Sequence, residues 1–145
     1  MKKCNEVMTE KTVCCQPDDL VEKVAQLMQS ENIGSIPVIE NKQTQKLVGI
    51  VTDRDLVIKI IAKGQDAKSM KVDAVMTRLV VTCRAEDDLQ KALDAMAKHQ
   101  LRRIPIVDAN HKIIGIIAQA DIATRVNQPE KTAEMVKDVS QANAN

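Results

Sequence analysis

The chain contains no Phe, Trp or Tyr, so any core must be built from Val, Ile, Leu, Met and Ala. The same absence removes the aromatic platforms on which single-stranded nucleic acid usually stacks. There is no surplus of one charge either: 21 Lys and Arg face 20 Asp and Glu, for a formal net charge of +1. That balance supplies no electrostatic basis for binding nucleic acid or an anionic membrane. No apolar run approaches the roughly 18 residues that a membrane span needs. The opening MKKCNEVMTEK lacks the apolar stretch of a secretory leader, so the cytoplasm is the expected compartment. No C-x-x-C pair occurs, and Cys4, Cys14, Cys15 and Cys83 fit no zinc spacing. Neighbours in a strand point to opposite faces, which separates Cys14 from Cys15. The cysteines are expected to act as small buried apolar residues, with one or two free thiols, rather than as a metal site or redox sensor.

What the chain does have is an internal repeat. With 145 residues it can form one compact domain or two small subdomains sharing a core. A shift of 68 positions lays Val7–Thr9 (VMT) on Val75–Thr77 (VMT), Cys15 on Cys83, Asp19 on Asp87, Lys23 on Lys91 and Met28 on Met96. It also lays Ile36–Val38 (IPV) on Ile104–Ile106 (IPI). After a turn that is two residues longer in the first copy, the shift becomes 66, and Gly49, Ile50 and Asp55 meet Gly115, Ile116 and Asp121. So many matches with one gap in a loop identify a tandem duplication.

Each copy reads as β-α-β-β-α. Apolar stretches at Thr12–Cys15 and Leu79–Cys83 predict a first strand. Leu20, Val21, Val24, Leu27 and Met28 follow helical spacing, with Gly34 after the end; Leu89, Ala92, Leu93 and Met96 do the same in the second copy. IPVIE and KLVGIVT predict two strands around the turn Asn41–Gln45, matched by IPIVD and KIIGIIA around Ala109–His111. A second helix is predicted over Asp53–Lys63, closed by Gly64, and over Gln119–Val126. The predicted organisation is a first domain over 5–64, a linker over 65–74, a second domain over 75–126 and a tail over 127–145. Part of that tail, Glu130–Gln141, has the spacing of a short amphipathic helix, and the terminal ANAN is expected to be disordered. The fold class is α/β (α+β). Two such repeats related by a pseudo-twofold axis could pack their sheets together with the helices outside, leaving a cleft between them.

The stretch GIVTDRDLVIK, Gly49–Lys59, changes from buried strand to three charges in one step. Such a junction suits a helix cap, an acid pair for catalysis, or a ligand site. Thr52 and Asp55 have the spacing of a capping box. The second copy keeps Asp121 but has Ala118 in place of the threonine. An aspartate that survives without its capping partner points toward a ligand role. Asp53 and Asp55, two apart in a helix, would not face each other, which disfavours acid–base catalysis.

The joint pattern VMT…IGSIPVI…LVGIVTDRDLV, repeated as VMT…LRRIPIV…IIGIIAQADIA, resembles a tandem pair of cystathionine-β-synthase (CBS) domains. The resemblance covers roughly residues 5 to 126 and is similar to the small stand-alone bacterial and archaeal two-CBS proteins. It implies a regulatory module that binds adenosine-containing ligands such as AMP, ADP or ATP, sometimes NAD or S-adenosylmethionine. It further implies no catalysis, no required cofactor and no metal, a homodimer, and a downstream protein partner of unspecified identity. The family signature Gly-h-h-Ser/Thr-x-x-Asp, with h apolar, matches Gly49, Thr52 and Asp55. The implied first site comprises Thr12, Val13, Ser35, Ile36, Pro37, Thr52, Arg54 and Asp55. There a helix N-terminus favours a phosphate, Thr52 and Arg54 can donate to it, and Asp55 can accept from a ribose diol. The implied second site comprises Val81, Thr82, Arg102, Arg103, Ile104, Pro105, Ala118 and Asp121. It lacks the threonine and has arginines, with His99 nearby, so the two sites are expected to be unequal.

Other functions leave weaker traces. A small enzyme using Asp53 and Asp55 has no nucleophile or base close in sequence. A DNA-associated protein would need a helix-turn-helix unit, and none fits. A thiol-based redox response would fall to Cys14 and Cys15. Self-association is expected through the helices, from Leu20, Val24, Leu27 and Met28 on one and Leu56, Ile60 and Ile61 on the other.

Overall fold

The computed structural model describes residues 2–125. The expected tail, 127–145, with its helix over Glu130–Gln141, lies outside the described residues. The elements in order are α1 (Cys4–Val7), α2 (Val21–Glu31), β1 (Ser35–Ile39), β2 (Leu47–Thr52), α3 (Asp53–Leu56), β3 (Cys83–Arg84), α4 (Leu89–His99), β4 (Arg103–Val107), β5 (Ile113–Ala118) and α5 (Gln119–Arg125). The fold mixes helices with small sheets, in the α+β class that the repeat pattern implies.

The chain forms two compact units. One is residues 13–80; the other joins the first twelve residues to Val81 and beyond. The VMT segments therefore do not stay with the repeats they precede. Thr77 bridges to Ile50 in the first repeat's sheet, while Thr9 bridges to Ile116 in the second's. The N-terminal arm contacts its unit through bonds that the segment 71–77 repeats in the other. Cys4 N–H donates to the Asp87 carbonyl and Val72 N–H to the Asp19 carbonyl, both at 2.9 Å. Within the stretch expected as linker, Val72–Ala74 forms a 3-10 turn and Val72 is fully buried.

The two helices of helical spacing form as the apolar pattern requires. Val21, Val24 and Met28 bury one face of α2, and Leu89, Ala92, Leu93 and Met96 one face of α4. Leu20 instead stays 45% exposed. Closure differs from expectation: Asn32 (φ 54°) and Gln100 (φ 58°) adopt the left-handed conformation, not Gly34. Asn is the commonest substitute for Gly there. Gly34 instead lies beside the exposed Asp53 carboxylate, which a Cβ there would approach to 2.9 Å and displace.

β1 and β2 pair antiparallel, as do β4 and β5, and both pairs shift register at the same place, after Val38 and after Ile106. Pro37 and Pro105, which have no N–H, sit opposite Ile50 and Ile116. Those two isoleucines turn their backbone groups to the far side, where Thr77 and Thr9 exchange both hydrogen bonds with them at 2.8–3.0 Å. Proline is thus tolerated in the middle of each sheet because it takes a position that asks for no donor.

The predicted first strands are corrected to shorter elements. Thr12–Cys15 contributes a single parallel bridge, Cys15 to Val38, and Leu79–Cys83 contributes only Cys83–Arg84, parallel to β4. Leu79 is 92% exposed. The strands end because Asp19 accepts the Gln16 N–H and Asp87 the Arg84 N–H, each at 2.8 Å, bending the chain into the helix. Lys23 and Lys91 pair with those aspartates at 3.4 Å. This accounts structurally for two of the matches between the repeats.

The helix predicted over Asp53–Lys63 is regular only through Leu56. Val57–Ile61 widens into a π-type turn, with Ala62 N–H donating to the Val57 carbonyl at 2.8 Å, and Gly64 closes it at φ 66°. Four β-branched residues in five crowd a regular helix here. Each unit has its own aliphatic core: Ile36, Val38, Val51 and Val24 in one, Ile104, Ile106, Ile117 and Met96 in the other.

Candidate functional site

The corner where β2 enters α3 is built by reciprocal capping. Thr52 has extended backbone (φ −118°, ψ 161°) and acts as N-cap. Its Oγ1 accepts the Asp55 N–H at 3.1 Å, and Asp55 Oδ2 accepts the Thr52 N–H at 3.0 Å. The Thr52 hydroxyl also contacts Asp55 Oδ2 at 3.1 Å. The other carboxylate oxygen, Oδ1, lies 3.1 Å from Lys59 Nζ and accepts the Thr77 hydroxyl at 3.4 Å. Lys59 Nζ donates onward to the Val75 carbonyl at 2.8 Å. Among the described residues Asp55 is the one charged side chain that is buried, at 9% exposure. Burial of a carboxylate requires this degree of satisfaction.

Of the first expected site, Ser35 and Thr52 are directly opposite across β1 and β2, with Asp55 one turn beyond. Ile36 is fully buried and Pro37 buried, so they contribute to the core. Arg54 is exposed, and its N–H is taken by Asp53 Oδ1 at 2.8 Å. Val13 is half-buried in the same unit, whereas Thr12 belongs to the other unit. The carboxylates of Asp53 and Asp55 serve separate ends of the turn: the first is exposed, the second inside the cap.

The second corner repeats the backbone with other side chains. Asp121 Oδ2 accepts the Ala118 N–H at 3.1 Å, so the aspartate keeps half of the capping box without a threonine. Survival of the aspartate is thus accounted for by a backbone donor, which a ligand role at the same residue can accompany. Arg103 stands opposite Ala118, as Ser35 stands opposite Thr52. Arg103 is half-buried and Arg102 exposed, in keeping with the alternation of a strand start. Val81 and Thr82 are half-buried just before β3, Ile104 and Pro105 are buried, and His99 is the exposed last residue of α4.

One residue escaped sequence reasoning. Gln119 occupies the place of Asp53, and the Gln119 N–H donates to the Arg102 carbonyl at 3.0 Å as Asp53 N–H does to Gly34 at 2.9 Å. Its side-chain Nε2 is buried with no hydrogen-bond partner among the described residues. The shift of 66 that aligns the two strand ends was the signal that could have found it.

The CBS domain model matches residues 4–62 and 72–127, and the chain belongs to the CBS domain family. It is 33% identical over 143 residues to the CBS domain-containing protein YhcV of Bacillus subtilis, covering 99% of each chain. Its structure is similar to that of Hypoxic Response Protein I, solved with two coordinated zinc ions, at a TM-score of 0.76 and 29% identity, covering 86% of this chain and 99% of that one. A CBS domain pair solved with 5′-methylthioadenosine and S-adenosyl-L-methionine shares the fold at a TM-score of 0.71 and 22% identity, covering 84% of this chain and 97% of that one. Among the described residues no cluster of three or more His, Cys, Asp or Glu could hold a metal ion. None of the helices in that range is long and apolar enough to cross a membrane.

Proposed function

We propose that this CBS pair is a regulatory module that binds an adenosine-containing ligand, AMP, ADP or ATP, and performs no chemistry on it. The carrying observation is the first corner: a buried carboxylate beside two hydroxyl side chains, Ser35 and Thr52, at the mouth of a strand-to-helix turn. The longest contact of Asp55 is the one to Thr77, at 3.4 Å, and Thr77 is exposed. A ribose hydroxyl can take the place of that threonine while Lys59 and the capping bonds stay. The second corner offers Arg103 and the unpaired Gln119 amide instead, which suits a more phosphorylated ligand. The fold neighbour that holds two adenosine compounds supports the class of ligand. It also favours S-adenosylmethionine as a second reading.

A ligand that binds only the folded chain adds about 2.7 kcal/mol of stability at a hundredfold excess over Kd. AMP, ADP and ATP should raise the melting temperature; UMP and CMP should not. Equal shifts for all nucleotides would reduce the site to a phosphate trap, and a shift with S-adenosylmethionine alone would select the second reading.

The module is further proposed to work as a homodimer. Val24, Met28 and Ile60 are used inside their own unit, which leaves Val57 at 49%, Ile58 at 46% and Ile61 at 71% exposure on one helical segment. These three, with Leu20, are the side chains offered to a second copy. Light scattering at micromolar concentration should give a dimer mass, and Ile58→Glu should give a monomer with an unchanged fold.

A further inference from the structure

None of the four cysteines is in a disulfide. Two of them, however, meet. Cys4 is the first residue of α1 in the N-terminal arm, and Cys83 begins β3. Both belong to the same buried cluster, at 0% and 3% exposure, and their thiols interact with each other. The arm is held at this place by backbone bonds on either side: Cys4 N–H to the Asp87 carbonyl at 2.9 Å and Asn5 N–H to the Ala85 carbonyl at 3.0 Å. The Cys4 sulfur also sits 3.9 Å from the Asp88 carbonyl oxygen. The other unit provides an internal comparison. There Cys15 stands in the place of Cys83 and Val72 in the place of Cys4, both buried in one cluster. The arrangement of two facing thiols is thus particular to one unit, and a valine fills the same position in the other.

We propose that Cys4 and Cys83 form an oxidation site, in which hydrogen peroxide converts the two thiols to a disulfide that fastens the N-terminal arm to β3. The Cys83 sulfur, as thiolate, attacks the peroxide; the O–O bond breaks, hydroxide leaves and takes up a proton as water, and Cys83 becomes a sulfenic acid. The Cys4 sulfur then attacks the Cys83 sulfur, the S–O bond breaks and a second water leaves. Two thiols lose two electrons and two protons, and one peroxide is reduced to two waters. The roles follow from the contact: the interaction with Cys4 lowers the Cys83 pKa, and the interaction with Cys83 together with burial raises that of Cys4. Burial and Asp87 act against the Cys83 thiolate, while Lys91 supports it. The resulting cross-link would close a loop that contains the whole of the other unit, residues 13–80. Long loops are the ones whose closure most restricts the unfolded chain.

The test uses the full chain treated with hydrogen peroxide, then alkylated after denaturation and digested with trypsin. The expected product is a single chain, free of interchain disulfides, that has lost two hydrogens, with the peptide Cys4–Lys11 joined to Leu79–Arg84. Titratable thiols should fall from four to two, and the melting temperature should rise by several degrees. The double variant Cys14→Ser, Cys15→Ser should keep all of this. Cys4→Val, which copies the natural Val72, should fold but show neither the linked peptides nor the rise. Cross-links that instead involve Cys14 or Cys15, or full alkylation of Cys4 and Cys83 after peroxide, would overturn the proposal.

Discussion

Asp121 accepts the backbone N–H of Ala118 at 3.1 Å, in the same manner that Asp55 accepts that of Thr52 at 3.0 Å. The aspartates of both repeats therefore do structural work whatever else they bind. The first also receives Lys59 and Thr77.

Asp55→Ala should lower the stability of the ligand-free chain by about 1–2 kcal/mol, since it removes a capping box and the ion pair to Lys59. If Asp55 also holds a ribose, the same change should weaken AMP by the roughly 1.5–3 kcal/mol of a charged hydrogen bond. Thr52→Ala should weaken AMP more than adenosine. Calorimetric titration beside ligand-free melting separates the two roles. A lowered melting point with unaltered AMP binding in Asp55→Ala would leave the corner as a cap alone.

Gly49 and Gly115 occupy matched positions but should respond differently to a methyl group. A Cβ at Gly49 would sit 2.9 Å from the Thr77 carbonyl oxygen, which is fixed by its pairing with Ile50. A Cβ at Gly115 would meet the Met8 side chain, with Sδ at 2.5 Å and Cγ at 2.9 Å. A methionine can change rotamer, whereas a paired backbone cannot. Overpacking of this kind costs about 1–3 kcal/mol, so Gly49→Ala should fall near the upper end and Gly115→Ala near the lower. Urea midpoints of the two variants give the comparison, and equal losses would contradict it.

Burial pushes the Cys15 thiol up from its ordinary 9.0 to about 12, with Asp19 adding to the effect. The unfolded chain ionises this thiol near its ordinary pKa while the folded chain holds its proton. Stability from this residue is thus fully present below about pH 9 and declines as pH rises toward about 12. Cys15→Val should lose that part of the decline. Urea unfolding at a few pH values across this window measures it, and a slope identical to that of the parent would show that the thiol titrates alike in both states.

The order of helices and strands, the duplication and the aliphatic cores were legible in the chain, because apolar spacing alone decides which face of a helix or strand is buried. Leu89, Ala92, Leu93 and Met96 are buried as their spacing requires, and the IPV and IPI segments pair with the strands that follow. Local chemistry was read less well where two answers were equivalent in sequence: Asn32 rather than Gly34 closes α2, and the run Val57–Ile61 widens rather than continuing the helix. What only the tertiary structure decided is which distant segments meet. The VMT arms pack on sheets that their own repeats do not own, and this exchange places Thr77 against Asp55 and Cys4 against Cys83. Periodicity specifies a face but not its partner; the partner is chosen by backbone donors that need acceptors, here Ile50 and Ile116, whose N–H and C=O groups the antiparallel pairing turns away from Pro37 and Pro105.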